Sequence, residues 1–194
     1  KLHVACVQLR STDDVGENIA TASALIRQAH KDGARFIATP ENTTLMAPDG
    51  GAKLEKSFAE KDDPAVPAFG KLAAELGIHL LIGSLAIKVP EGKTANRSFL
   101  YTPQGTIAAR YDKIHLFDVD LGPGKVYRES QVIRPGSEAV VAETPWGGIG
   151  MTTASTSKAT LQFVYNPTLE VVALGGNTSP ALHHYLGLRV YYNL

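Results

Sequence analysis

Three segments within the first forty residues restrict the fold more than anything that follows. Val4-Ala5-Cys6-Val7-Gln8-Leu9 is a short apolar run rich in β-favouring residues. From Val15 to His30, the residues Ile19, Ala22, Leu25, Ile26 and Ala29 recur at helical spacing behind Asp13 or Asp14 as cap, and Lys31-Asp32-Gly33 supplies the stop. Ala34 to Thr39 is a second apolar run, ended by Pro40. Strand, amphipathic helix and strand in so short a space predict a parallel crossover unit, because parallel neighbours need a long return connection. The class is therefore α/β.

The cycle continues. Pro64 to Leu76 carries Phe69, Leu72, Ala73 and Leu76 on one helical face, Gly77 ends it, and Ile78 to Leu85 reads as a third strand. Asn96 to Tyr101, the turn Thr102-Pro103-Gln104-Gly105 and Thr106 to Tyr111 then predict an antiparallel hairpin, so the sheet is mixed. Residues 119–137 hold Gly122, Pro123, Gly124, Pro135 and Gly136, a long connection of the kind that carries function more often than regular structure.

A chain of 194 residues, 44% hydrophobic, buries one sizeable core, which predicts a single domain over 1–194. Zero formal net charge offers no basic surface for a run of phosphates, so nucleic acid is not an expected partner. The longest apolar stretches, such as Ile78 to Ile87, are too short to cross a bilayer, and no membrane association is expected. The start, Lys1-Leu2-His3-Val4, lacks the layout of a secretory signal, and one cysteine fits a reducing compartment; both point to the cytoplasm.

Two charged residues stand at the ends of strand-like segments, where side chains turn from the core toward a rim. Glu41 follows Thr39-Pro40, at the carboxyl end of an expected parallel strand, where open α/β sheets place ligands. Burial there raises a carboxyl pKa toward that of a useful general base. Lys113 lies in Tyr111-Asp112-Lys113-Ile114-His115-Leu116-Phe117-Asp118, an apolar setting that strengthens any contact its ammonium makes with a developing oxyanion. His115 either orients a neighbour or sits satisfied in the core. Glu129, in the Gly/Pro-rich connection, is a second carboxylate placed to position Lys113 or a substrate. Each residue taken alone is as well read as a surface charge.

Taken together, Ala5-Cys6-Val7-Gln8-Leu9, Thr39-Pro40-Glu41-Asn42, Leu81-Ile82-Gly83-Ser84, Asn96-Arg97-Ser98, Gly105, Tyr111 to Asp118, Glu129-Ser130 and Gly148-Ile149-Gly150-Met151-Thr152 resemble the nitrilase superfamily of carbon–nitrogen hydrolases, in its omega-amidase and deaminated-glutathione amidase group. The resemblance covers residues 1 to about 152. It implies a four-layer α-β-β-α sandwich, pairing into homodimers or higher oligomers, a small-molecule amide substrate, and no cofactor or metal. It also implies a mechanism: Glu41 as general base, Lys113 as oxyanion ligand and Glu129 lining the site, with a cysteine thiolate attacking the amide carbonyl and ammonia leaving.

At the nucleophile's position the chain has Ala154, followed by Ser155-Thr156-Ser157. Beyond that point no further motif of the family is read in the sequence, and the resemblance implies a chain running further than Leu194. From 152 to 194 the only charged side chains are Lys158, Glu170 and Arg189; so charge-poor a segment must be buried or mis-specified, and helical periodicity is hard to find in it. Taken literally, loss of the nucleophile removes roughly six orders of magnitude of turnover, about 8 kcal/mol of barrier.

No other residue replaces it. Cys6 reads as inert core. Ser155 and Ser157 lack a Gly-x-Ser-x-Gly elbow, His183-His184 lacks a third ligand, and Gly147-Gly148-Ile149-Gly150 is no dinucleotide loop. Two readings stay open: an amide hydrolase acting on a small carboxylate-bearing amide, with Arg97, Lys125 or Arg128 as carboxylate partners, and a catalytically inactive binding or scaffold protein.

Overall fold

The computed structural model describes residues 2–120, 122, 126–153, 159–164, 169–174 and 187–191, with backbone only from residue 152 onward. The opening crossover is present: β1 (Leu2–Val7), α1 (Val15–Lys31) and β2 (Phe36–Ala38), the two strands parallel with Val4 opposite Phe36 and Cys6 opposite Ala38. Asp14 caps α1 by accepting from Glu17 N at 2.9 Å. The helix reverses into Gly33, whose φ of 97° suits a residue without Cβ. β1 lies two residues earlier than its hydrophobicity suggests, since pairing, rather than apolarity, sets a strand's ends and Gln8 points to solvent.

Next come α2 (Gly50–Lys56), a 3-10 turn at Glu60–Asp62, α3 (Ala65–Leu76) and β3 (His79–Val89). Gly77 ends α3 in the left-handed region, φ 61°, as its position predicts. β3 runs on to Val89 and pairs antiparallel with β4 (Lys93–Tyr101), which pairs antiparallel with β5 (Ile107–Asp112). The sheet is therefore mixed, as expected. The Gly/Pro-rich connection does hold regular structure: β6 (Asp118–Asp120) and β7 (Val126–Arg128) form a two-stranded ladder that leads into a 3-10 turn at Glu129–Gln131.

β8 (Val140–Thr144) and β9 (Gly147–Thr153) form a hairpin extended by β10 (Ala159–Val164) and β12 (Gly187–Tyr191), while β11 (Leu169–Leu174) joins the first sheet parallel to β1. The missing helical periodicity after Thr152 thus has a structural counterpart, three strands among the described residues. The large sheet has the order β11-β1-β2-β3-β4-β5 and the second β12-β10-β9-β8.

Alternation sorts the large sheet's side chains between two cores. Ala5, Val7, Ile37, Leu80, Ile82, Phe99 and Tyr101 face α1 and α3, packing on Ile26, Phe69 and Leu72. Leu2, Val4, Phe36, Ala38, Leu81, Leu100 and Tyr111 face the second sheet, packing on Ala142, Ile149 and Met151. Full burial of Phe36, Phe69 and Phe99 stabilises the fold by about 1.5–3 kcal/mol each. Cys6, on β1, is half-buried rather than enclosed, and burial still pushes its thiol up, away from the thiolate that reactivity needs. Among the described residues no helix is long and apolar enough to cross a membrane.

Candidate active site

Glu41 is held by the turn that closes β2 against β3. Thr39 N donates to Leu81 O and Thr43 N to Ser84 O, both at 2.9 Å, so residues 39–43 arch over β3. Within the arch Gly83 N donates to Thr39 Oγ1 at 3.1 Å, Thr39 and Thr43 hydroxyls meet at 2.7 Å, and Thr43 Oγ1 donates to Pro40 O at 2.7 Å. With those outer bonds fixed, Thr39 must be the hydroxyl donor to Thr43. A Cβ on Gly83 would stand 2.2 Å from Thr39 O, so only glycine admits this close approach, at the irregularity where β3–β4 pairing shifts between Ile82 and Leu85. Asn42 takes φ 55°, which asparagine tolerates, and its N donates to Ser84 Oγ at 2.8 Å. Buried Asn18 secures the far end, donating from Nδ2 to Thr12 O and Thr44 O at 2.8 Å.

Lys113 follows β5 and is pinned through its backbone: N donates to Asn96 O and O accepts from Gly136 N, both at 2.9 Å. Its Nζ lies 3.0 Å from Glu41 Oε1, 3.0 Å from Glu129 Oε2 and 3.3 Å from Glu129 Oε1. Glu129, at the start of its 3-10 turn, also accepts from Phe117 N at 2.5 Å. The fold therefore brings Glu41, Lys113 and Glu129 together. Ala154, the position matched to the nucleophile, lies outside the described residues, as do Lys125, Ser155, Ser157 and the His183-His184 pair.

The electrostatics differ from expectation in one respect. Burial does push the Glu41 carboxyl upward, but the Lys113 charge and hydrogen bond, with Asn96 Nδ2 and the charge of Lys53, outweigh it and hold the pKa below the ordinary value. Glu41 is ionised at neutral pH, ready to accept a proton, rather than tuned upward. Burial pushes Lys113 down, yet Glu41 and Glu129 together raise it above its ordinary value, which keeps the ammonium charged. Of the segment after Lys113, Ile114 packs partly buried against the second core while His115 and Phe117 are exposed, so His115 is not a core residue.

The expected carboxylate partners are also displaced. Arg97 is engaged by a bidentate pair to Asp112, at 2.6 and 2.9 Å, and by Glu60 at 2.7 Å; these bonds raise its pKa and commit its charge to carboxylates of the chain itself. Arg128 is exposed and donates to Tyr127 O at 3.3 Å. Instead α2 contributes Lys53, whose Nζ donates to Asn42 Oδ1 at 3.0 Å and which feels the charges of Glu129, Glu41 and Lys113. Nothing local in the sequence marks Lys53, because it reaches the site through the docking of α2. Asn96 stood in a recognisable motif, but its contact with Glu41 depends on the pairing of β3 with β4.

The carbon–nitrogen hydrolase profile matches residues 3–166, more than half of the chain. This chain belongs to the carbon–nitrogen hydrolase family. Among the family's members it is 36% identical to a Yersinia enterocolitica deaminated glutathione amidase over 77% of this chain and 53% of that protein. It is 33% identical to the human omega-amidase over 76% of this chain and 52% of that one. The chain thus spans about half the length of the curated relatives it matches. In fold it resembles a Saccharomyces cerevisiae member of the nitrilase superfamily, with a TM-score of 0.64 at 20% identity, covering 82% of this chain and 54% of that structure.

Proposed function

We propose that this carbon–nitrogen hydrolase site acts on a small carboxylate-bearing amide, Glu41 serving as general base, Lys113 as oxyanion ligand and Glu129 as the carboxylate that positions Lys113. The observation that carries the reading is the 3.0 Å contact of Lys113 Nζ with both Glu41 and Glu129. An ionised carboxylate next to a fixed ammonium provides the two halves of amide hydrolysis: a proton acceptor for the nucleophile and a positive charge where the tetrahedral oxyanion develops. Glu41 takes the nucleophile's proton, the new C–S bond forms as the carbonyl electrons move to oxygen, and the proton returns to the leaving nitrogen as ammonia departs. Water activated by Glu41 then releases the acid.

The thiol this sequence of steps requires belongs at position 154, where the chain carries alanine. That residue favours a second reading, a pocket that binds an amide without turning it over. Ammonia release from the monoamide of a four-carbon dicarboxylic acid separates the two. The hydrolase reading expects background release from the sequence as written and a rise of at least a thousandfold in the Ala154→Cys variant, abolished by a further Glu41→Gln change. No rise in a folded variant favours the binding protein.

The same reading takes 1–194 as one domain and the helix-sheet-sheet layers as three of the four of an α-β-β-α sandwich, with two copies pairing. Family membership supports both, and sedimentation of the purified chain tests the pairing.

A further inference from the structure

We infer that Lys53 is the specificity residue of this site, receiving the carboxylate of the substrate while Lys113 attends to the amide; the inference rests on the function proposed above. Its placement is built. Asp49 caps α2 by accepting from Ala52 N at 2.9 Å, and Ser57 Oγ donates to Lys53 O at 2.5 Å. At the start of the helix a Cβ on Gly50 would stand 2.3 Å from Val132 Cγ1, so the glycine lets α2 press against the segment just after Glu129. Lys53 is thereby aimed at the cluster, its ammonium on Asn42, the residue next to Glu41.

The two ammoniums of the site are not equivalent. Lys113 has two carboxylates within 3.0 Å of its Nζ. Lys53 has one hydrogen-bond partner among the described residues, the neutral Asn42 Oδ1, and forms no ion pair with them. An ammonium has three protons to donate, so Lys53 retains capacity for a bidentate anion. Burial, with the like charge of Lys113, outweighs the more distant charges of Glu129 and Glu41 and holds its pKa below the ordinary value, the direction expected of a cation that an arriving carboxylate would stabilise. An anionic substrate must also overcome Glu41 and Glu129. Arg97 is already neutralised and Arg128 is turned to solvent, whereas Lys53 feels both carboxylates and can offset that repulsion.

The test is calorimetric binding of two probes to the chain as written: succinamate, which carries the carboxylate, and butyramide, which replaces it with a methyl group. The expected result is a preference for succinamate that falls about ten- to a hundredfold in Lys53→Met and is largely restored in Lys53→Arg. The Met variant keeps the volume but leaves Glu41 and Glu129 with one cation fewer, so its melting temperature checks that it folds, and the ratio of the two affinities, which a general loosening of the site does not move, reads the assignment. An unchanged preference in Lys53→Met, or equal losses for both probes, overturns the assignment while leaving the amide reading in place. Failure of the unmodified chain to bind either probe overturns both.

Discussion

Glu41 and Lys113 stand 72 residues apart in sequence and 3.0 Å apart in space. The pair joins the end of a parallel strand to the end of an antiparallel one, across β3 and β4. Neither side chain is held by the other alone. Asn96 bridges them, giving its side-chain N–H to Glu41 and its backbone carbonyl to the N–H of Lys113. One β4 residue thus sets the spacing of base and oxyanion ligand.

Glu129 is the second carboxylate on Lys113, 3.0 Å from its Nζ, so Glu129→Gln should do more than remove a charge. The amide still accepts from Phe117 N, but Lys113 keeps only one anionic partner. A loss of about 1.5–3 kcal/mol in urea unfolding is expected for hydrogen bonds to a charged group. In the Ala154→Cys background, ammonia release should fall at least tenfold. A variant matching the parent in both measurements would remove Glu129 from the site.

Acid should unfold the protein partly through Glu41. Its folded pKa lies below the ordinary value, so its stabilisation is complete above the unfolded-state pKa and is lost as pH falls through the folded one. Lys113 has the opposite sign: its pKa is raised, and its contribution is lost as pH rises through that raised value. Melting temperature followed below pH 4.5, the ordinary glutamate value, should drop more steeply in the parent than in Glu41→Gln. Asp13, Glu75 and Asp118 also titrate low, but are exposed and contribute little to that slope.

Gly83→Ala tests the arch that carries Glu41. The added methyl would meet Thr39 O at 2.2 Å and the Pro40 carbonyl at 2.6 Å, both backbone atoms that cannot swing aside. Destabilisation of about 2–3 kcal/mol is expected. Hydrogen exchange at Thr39 and Thr43 should accelerate together, since their amides bond to either side of Gly83.

Arg97 is a structural cation in this fold, with its side chain 19% exposed between Asp112 and Glu60. Among the described residues, Arg97→Ala leaves Asp112 with only Arg134, at 3.5 Å, and Glu60 with only Arg110, at 2.8 Å. A cost of about 2–4 kcal/mol in denaturant unfolding follows. Arg97→Lys recovers only part of it, because a single ammonium does not reproduce the bidentate pair. Retention of full stability in the alanine variant would contradict this assignment.

The sequence by itself determined the elements with a clear period, namely β1, α1, β2, α3 and the β3–β4–β5 run, because alternation and the 3.6-residue repeat are local properties. It also showed Glu41 and Lys113 as strand-end residues and Glu129 as a connection residue. It showed neither α2, whose two leading glycines are poor helix formers, nor the β6–β7 ladder, whose strands are only three residues long. Tertiary structure alone decided that Arg97 is spent on Asp112, that Lys53 enters the site, and that Glu41 titrates low rather than high. The reason is physical: a pKa or an ion pair depends on which charges lie within a few ångströms, and that is set by strand order and by close contacts such as Gly83 on Thr39 and Gly50 on Val132, between residues remote in the chain.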